Sequence, residues 1–252
     1  MTASISLPIF VLREVNVVIS LQSIKDNFNR AGELVDKSLE RAGESERIVR
    51  IMAVTKTHPV DVAGKAIEAG IRLLGENRVS EGGRKVKVLG KNAAEFHMIG
   101  PIHTGEVRQA ARDFHWIDSV GRMKIVREIA KKTILKGFEQ PGILIEVNTS
   151  REDSKHGFKP DFHILQDILG EISEIGLHVS GLMTVGPLGG TERDTRGAFS
   201  LLRELRDRLD GSCHHDLSEL SMGMSDDFQF AVEEGATIVR LGRYIFGPRQ
   251  IR

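Results

Sequence analysis

From Gly43 onward the chain alternates short apolar runs with amphipathic segments, and the alternation predicts its architecture. Runs at 48–54, 72–74, 95–99, 115–117, 143–147, 178–185, 217–222 and 237–241 are mostly continuous in apolar residues, as strands buried on both faces are. Segments at 60–69, 79–89, 104–112, 122–136, 161–175, 191–209 and 226–234 repeat their apolar positions at helical spacing. Pro160-Asp161 reads as a helix start, and Gly70, Gly137 and Gly176 read as helix stops. Ahead of these, Val18, Leu21, Ile24, Phe28, Ala31, Val35 and Leu39 recur at steps of three and four, the stripe of a leading helix.

Eight strands alternating with helices predict an α/β fold, a closed (β/α)8 TIM barrel with an extra N-terminal helix. The alternative is a doubly wound open sheet, but the first strand-to-helix turn, 55–60, lacks the glycine-rich dinucleotide fingerprint. No linker or low-complexity stretch divides the chain, so its 252 residues are expected to form one domain.

Composition narrows the function classes. With 35 basic and 35 acidic residues the formal charge is zero, so no overall field draws the chain to nucleic acid or to an anionic membrane. The apolar stretch at 5–12 is short and follows no basic segment, which argues against a signal peptide, and no run is long enough to span a bilayer. A lone cysteine, Cys213, excludes an internal disulfide and fits a reducing compartment, so the expected location is cytoplasmic. Cys213 lies beside His214 and His215, but without the second sulfur or the regular spacing of a metal site.

In a barrel of parallel strands, chemistry collects at the carboxyl ends. Lys56 stands there, just past the first strand. A lysine partly desolvated at such a rim can lose its proton and attack a carbonyl to form a Schiff base; the ordinary alternative is a solvated surface lysine. Gly223-Met224-Ser225 follows the seventh strand, and Arg240-Leu241-Gly242-Arg243 runs out of the eighth. Glycines there let backbone amides approach an anion, Ser225 offers a hydroxyl, and a helix starting near Asp226 would turn its positive end to the same place. Taken singly, these glycines need only turn corners. A Schiff-base lysine opposite a phosphate cradle is what pyridoxal phosphate requires of a protein.

The segments Ala53-Val54-Thr55-Lys56-Thr57, Gly75-Glu76-Asn77, Phe96-His97-Met98-Ile99-Gly100, Gly181-Leu182-Met183-Thr184, Ser221-Met222-Gly223-Met224-Ser225-Asp226-Asp227 and Arg240-Leu241-Gly242 resemble those of the pyridoxal phosphate homeostasis protein family. The resemblance runs from the N-terminal helix to Gly247. It implies a barrel like the N-terminal domain of bacterial alanine racemase, with pyridoxal 5′-phosphate bound as a Schiff base on Lys56. It further implies that Ser225, Gly242 and Arg243 hold the phosphate, the last two mainly through backbone amides. Arg240 would face the pyridine nitrogen, and Asn77 and Met183 would line the ring. A guanidinium does not give up its proton, so the ring nitrogen would stay unprotonated and the ring would be a weak electron sink. The implied role is a cofactor carrier of vitamin B6 homeostasis without substrate turnover, a monomer with pyridoxal phosphate-dependent apoenzymes as candidate recipients.

The alternative is an amino-acid racemase or a related pyridoxal phosphate enzyme. Racemisation needs a base on each face of the substrate adduct, and the racemase relatives draw the second, a tyrosine, from a further domain. Here the one tyrosine, Tyr244, comes just after the phosphate segment of strand eight. A barrel with a decayed site is a third reading, against which the intact lysine and phosphate segments stand. Two departures from the family pattern are visible. Ile102-His103-Thr104-Gly105-Glu106 stands where Leu-Gln-x-Asn-Lys is usual, and Arg243-Tyr244 where small residues are common. His58, His97 and His103 form a candidate histidine set near the rim, weighed against ordinary pocket roles.

Overall fold

The Ser20 hydroxyl accepts the Ser23 amide at 3.0 Å while the Ser23 hydroxyl accepts the Ser20 amide at 3.2 Å, a capping box that starts helix α1, Leu21–Ala42. Gly43, at φ 70°, ends it in the left-handed conformation that glycine adopts without steric cost. Of the leading stripe, Ile24, Ala31, Val35 and Leu39 are buried and Phe28 packs against the core, whereas Leu21 remains exposed. These features belong to a computed structural model that describes residues 19–134, 137, 139–150, 152, 155–212 and 214–248; the stretch at 5–12, Val18 and Cys213 lie outside the described residues.

The strands are β1 (Arg50–Val54), β2 (Leu73–Glu76), β3 (Glu95–Met98), β4 (Trp116–Val120), β5 (Gly142–Glu146), β6 (Gly181–Met183), β7 (Glu219–Met224) and β8 (Ile238–Leu241). All pair in parallel with their sequence neighbours, and β1 pairs with β8, so the sheet closes into a barrel and the open doubly wound arrangement is excluded. Helices α2 (Val60–Glu68), α3 (Val79–Leu89), α4 (Val107–Asp113), α5 (Met123–Thr133), α6 (Phe162–Glu174), α7 (Glu192–Asp210) and α8 (Phe228–Glu233) fill the crossovers. A last turn, α9 (Arg243–Phe246), follows β8, and α1 leans on α8 and α9, with Asn27 Nδ2 donating to the Ile245 carbonyl at 3.0 Å. No helix among the described residues is long and apolar enough to cross a membrane.

The strand at 178–185 is shorter than its apolar content predicts because its backbone groups are used elsewhere. The His178 amide and carbonyl bond to the Gln140 side chain, and the Val179 amide donates to His215 Nδ1. At Gly181 a Cβ would stand 2.0 Å from the Glu219 carbonyl oxygen, so the first pair of the β6–β7 register needs a residue without a side chain. Helix α4 starts at Val107 rather than at 104, because Glu106 folds back and its carboxylate accepts the His103 amide at 3.0 Å.

Alternation along the strands sorts two populations. Ala53, Leu74, Phe96, Met98, Ile117, Ile143, Ile145, Leu182, Leu220 and Leu241 join the helices in one large apolar core. The opposite face, inside the barrel, is partly apolar through Met52, Leu73 and Ile238, and otherwise charged. Asp118 and Glu95 take the two ring nitrogens of fully buried His97, each at 2.8 Å, while Trp116 stacks on the imidazole at 5.2 Å. Gly142 makes the space for that indole, since a Cβ there would come within 2.3 Å of it. Arg50 then joins Glu95 at 3.0 Å to Glu219 at 2.7 Å, so one chain of charges crosses the interior.

Two glycines on α3 bring it close to α4. A Cβ on Gly82 would meet Phe114 at 2.4 Å, and one on Gly83 would meet Gln109 at 2.4 Å. Glycine costs about 0.5–1 kcal/mol relative to alanine inside a helix, so the pair is explained by packing and not by propensity.

The interior network carries a pH dependence. Burial opposes a charge on His97, but the carboxylates of Asp118 and Glu95 outweigh it and raise its pKa above the ordinary 6.5. A bond from His97, against the opposing pull of burial, leads the effects that hold Glu95 down to about 2. A depressed carboxyl stabilises the fold above its unfolded pKa, and that contribution is lost as pH falls from about 4.5 through about 2. A raised histidine stabilises below 6.5, and its contribution is lost as pH rises through the higher folded value. Urea midpoints measured across pH should therefore fall on both sides. Glu95→Gln should flatten the acid limb and His97→Gln the alkaline one, and unchanged slopes in both variants would remove the network from the explanation.

Candidate functional site

Lys56 lies two residues beyond the end of β1, half-buried at the carboxyl rim. The β1–β2 register pairs Val54 with Gly75 and so brings Lys56 level with Asn77. Continued past Val54, the strand's alternation turns Thr55 outward and Lys56 to the inner side. Thr55 is indeed bound on the outer side, where its hydroxyl donates to Glu76 Oε1. Thr57 sits at φ 68°, and it alone among the described non-glycine residues has a positive φ. That conformation costs an L-residue roughly 1–2 kcal/mol, and a branched Cβ does not lessen it. Glu81 Oε1 accepts the Thr57 amide at 2.6 Å and the Thr55 carbonyl accepts the His58 amide at 3.1 Å, which fixes the turn. The His58 ring lies 4.9 Å from that of Phe246, joining the β1 loop to α9.

Barrel closure brings the loop after β8 beside this turn. A Cβ built on Gly242 would lie 3.6 Å from Val54. Gly242 caps α9, and the Tyr244 amide donates to Ser225 Oγ at 3.2 Å, so the loops after β7 and β8 share one hydroxyl. Ser225 and Gly242 are half-buried and Arg243 is exposed. The Arg243 side chain pairs with Asp226 across the two loops, and the Tyr244 ring packs edge-on to Phe228 at 5.5 Å. Both unusual residues after β8 are thus engaged with the loop after β7.

Arg240 spans the interior just below. It is buried, donating through Nη1 to Ser221 Oγ at 2.8 Å and through Nη2 to the Thr184 carbonyl at 2.7 Å, a reach from β8 across β7 to β6. Burial lowers its pKa, against the pull of Asp118, Asp227 and Glu146, yet a guanidinium remains protonated. Burial in turn raises the pKa of both Glu146 and Asp227. Met183 is buried at the end of β6, paired in register with Glu146 and Ser221. Asn77 is held from the side by the loop after β3, where a Cβ on Gly100 would reach its carbonyl oxygen at 2.3 Å.

One local expectation changes. The helix after β7 begins at Phe228, not near Asp226, because Asp227 Oδ1 accepts the Met224 amide at 2.5 Å and closes an intervening turn. The helical turn beside Ser225 is instead α9. Its sequence signal, two apolar residues followed by Gly247-Pro248, is a helix-stop pattern. The three candidate histidines do not converge: His97 is inside the barrel, His58 lies against α9 and His103 is in the turn before α4. No group of three possible metal ligands occurs among the described residues.

Sequence reasoning missed what stands behind Lys56. Lys85 on α3 reads as a solvated lysine, but it is 2% exposed and bonds to Thr55, Glu76 and Glu81. The available signal was position, since Lys85 falls between Gly82 and Val86 on the buried stripe of α3.

The described barrel agrees with what the chain is similar to. Residues 19–250 match the family described as alanine racemase, N-terminal domain. Pyridoxal phosphate homeostasis proteins of Aquifex aeolicus and Vibrio cholerae are 37% and 33% identical to it, over 89% and 91% of this chain and 98% of each relative. Among solved structures, PipY of Synechococcus elongatus with pyridoxal phosphate bound superposes with a TM-score of 0.76 at 29% identity, covering 89% of this chain and 100% of PipY. An alanine racemase of Clostridium difficile gives 0.71 at 17% identity, over 92% of this chain and 58% of the racemase, a likeness of fold alone. The chain belongs to the family of pyridoxal phosphate homeostasis proteins, built on the alanine racemase N-terminal domain.

Proposed function

We propose that the protein binds pyridoxal 5′-phosphate at the carboxyl rim, attaches it to Lys56 and holds it without turning over a substrate. The observation that carries this reading is the meeting of the β1 turn with the Ser225–Tyr244 contact at barrel closure. The donor set fits the cofactor: a primary amine for its aldehyde, a hydroxyl and turn amides for its phosphate, and a fixed guanidinium for its pyridine nitrogen. Relatives named for pyridoxal phosphate homeostasis and the cofactor-bound PipY support it.

Bound pyridoxal phosphate supplies an electrophilic aldehyde and an aromatic ring. Lys56 would hold the cofactor covalently: its neutral amine would bond to the aldehyde carbon, whose oxygen would leave as water with the amine's two protons. Ser225 Oγ and the amides of Gly242 and Arg243 hold the phosphate, and Asn77 and Met183 flank the ring. Arg240, fixed by Ser221 and Thr184, would face the ring nitrogen and, as a guanidinium that keeps its protons, leave it unprotonated. An unprotonated ring draws electrons weakly, so carbanion chemistry is disfavoured. The Tyr244 ring packs edge-on against Phe228 and its amide donates to Ser225 Oγ. The carrier is read as monomeric and cytoplasmic, with pyridoxal phosphate-dependent apoenzymes as recipients.

Borohydride reduction after incubation with pyridoxal phosphate should fix one pyridoxyl group on the peptide containing Lys56. Lys56→Ala should fix none, and a label on another lysine would contradict the assignment. By titration calorimetry, Ser225→Ala should weaken cofactor binding by about 1–2 kcal/mol, the loss of a hydrogen bond to a charged group; undiminished affinity would remove Ser225 from the cradle. With L-alanine in deuterated water the loaded protein should exchange no α-hydrogen beyond free pyridoxal phosphate. Turnover near one per second would instead favour a racemase.

A further inference from the structure

Among the described residues Lys85 is the largest side chain that is fully buried, and its ammonium has three hydrogens to place. Nζ donates to the Thr55 carbonyl at 2.7 Å, to Glu76 Oε1 at 2.7 Å and to Glu81 Oε1 at 2.9 Å. Glu81 Oε1 also accepts the Thr57 amide at 2.6 Å, and Glu76 Oε1 accepts the Thr55 hydroxyl. The carbonyl before Lys56 and the amide after it therefore hang on one buried cation. The residue carrying that amide is held in the left-handed region, φ 68°, where a threonine does not rest by preference.

A buried ion cluster contributes little to stability compared with an apolar filling of the same volume. Its geometric product here is a fixed main chain on both flanks of one side chain. We propose that Lys85 and Glu81 are positioning residues: together they clamp the backbone around Lys56 and so aim its amine at the carbon that it attacks. The role rests on the reading of Lys56 as the attachment lysine. Both act through the backbone that they hold, Lys85 at the Thr55 carbonyl and Glu81 at the Thr57 amide.

The test compares two ligands that differ at one group, pyridoxal 5′-phosphate and pyridoxine 5′-phosphate, whose alcohol cannot link to an amine. Glu81 is the better site to vary, being partly exposed, so loss of its carboxylate need not unfold α3. Glu81→Ala should weaken pyridoxal phosphate binding roughly tenfold, the scale of one hydrogen bond to a charged group. Pyridoxine phosphate affinity should hold within about twofold, since no linkage is at stake. Glu81→Gln, which keeps an oxygen for the Thr57 amide, should recover most of the loss. In the protein without cofactor, amide hydrogen exchange at Thr57 should rise about tenfold in Glu81→Ala and little in Glu81→Gln. Equal losses for both ligands, or unaltered exchange at Thr57, would overturn the clamp while leaving the attachment reading intact. A wild-type protein with no borohydride-fixed label on Lys56 would overturn the attachment reading instead, and with it the aim assigned to the clamp.

Discussion

Pairing of β1 with β8, Arg50 with Ile238 through Ala53 with Leu241, joins the first strand of the sheet to the last. Everything at the carboxyl rim depends on that seam. It sets the β1 turn beside Gly242, brings Arg240 level with Met52, and lets α9 meet both His58 and α1. Residues far apart in sequence become neighbours because a parallel sheet sends every strand end to the same face, and closure leaves no edge at which they could part.

The barrel wall carries charge on both sides of the site. Inside, Asp118, His97, Glu95, Arg50 and Glu219 run in sequence, with Arg240 above them. Outside, Lys85 gathers two carboxylates. Isolated ions would be costly there; each is tolerated because its partners sit at hydrogen-bonding distance. One oxygen is an exception among the described residues: Glu76 Oε2 is buried without a hydrogen-bond partner. Burial raises the Glu76 pKa despite the neighbouring Lys85. A proton on that oxygen would leave Lys85 and Glu81 as a balanced pair.

The fold was legible because most strands are apolar on both faces and the helices carry clear stripes. The interior was harder to read. Glu95, His97, Glu219 and Ser221 alternate with apolar residues, and such alternation ordinarily marks a strand with one face in water. Here the polar set faces inward, where partners on the same strand, as Glu95 is for His97, and on other strands, as Asp118 and Arg50 are, satisfy it. At the candidate site the sequence singled out Lys56, Ser225 and Arg240 through segments that resemble family motifs, and closure brings the strand ends that carry them to one face. Tyr244 was harder, because its backbone amide and not its side chain reaches Ser225. Lys85 was hidden because a single lysine in a helix looks like surface until its three bonds are seen.

Gly82 and Gly83 set more than the spacing of two helices. They let α3 settle against Phe114 and Gln109, and α3 is the element that carries both Glu81 and Lys85. The absence of two methyl groups thus works as a depth gauge for an ammonium two and three residues along the helix. Thickening the helix there would press on Phe114 and on Glu76 at the end of β2, and lift the charged side chains of α3 off the strand ends. On the proposed reading, Lys56 inherits its aim from the thinness of a neighbouring helix.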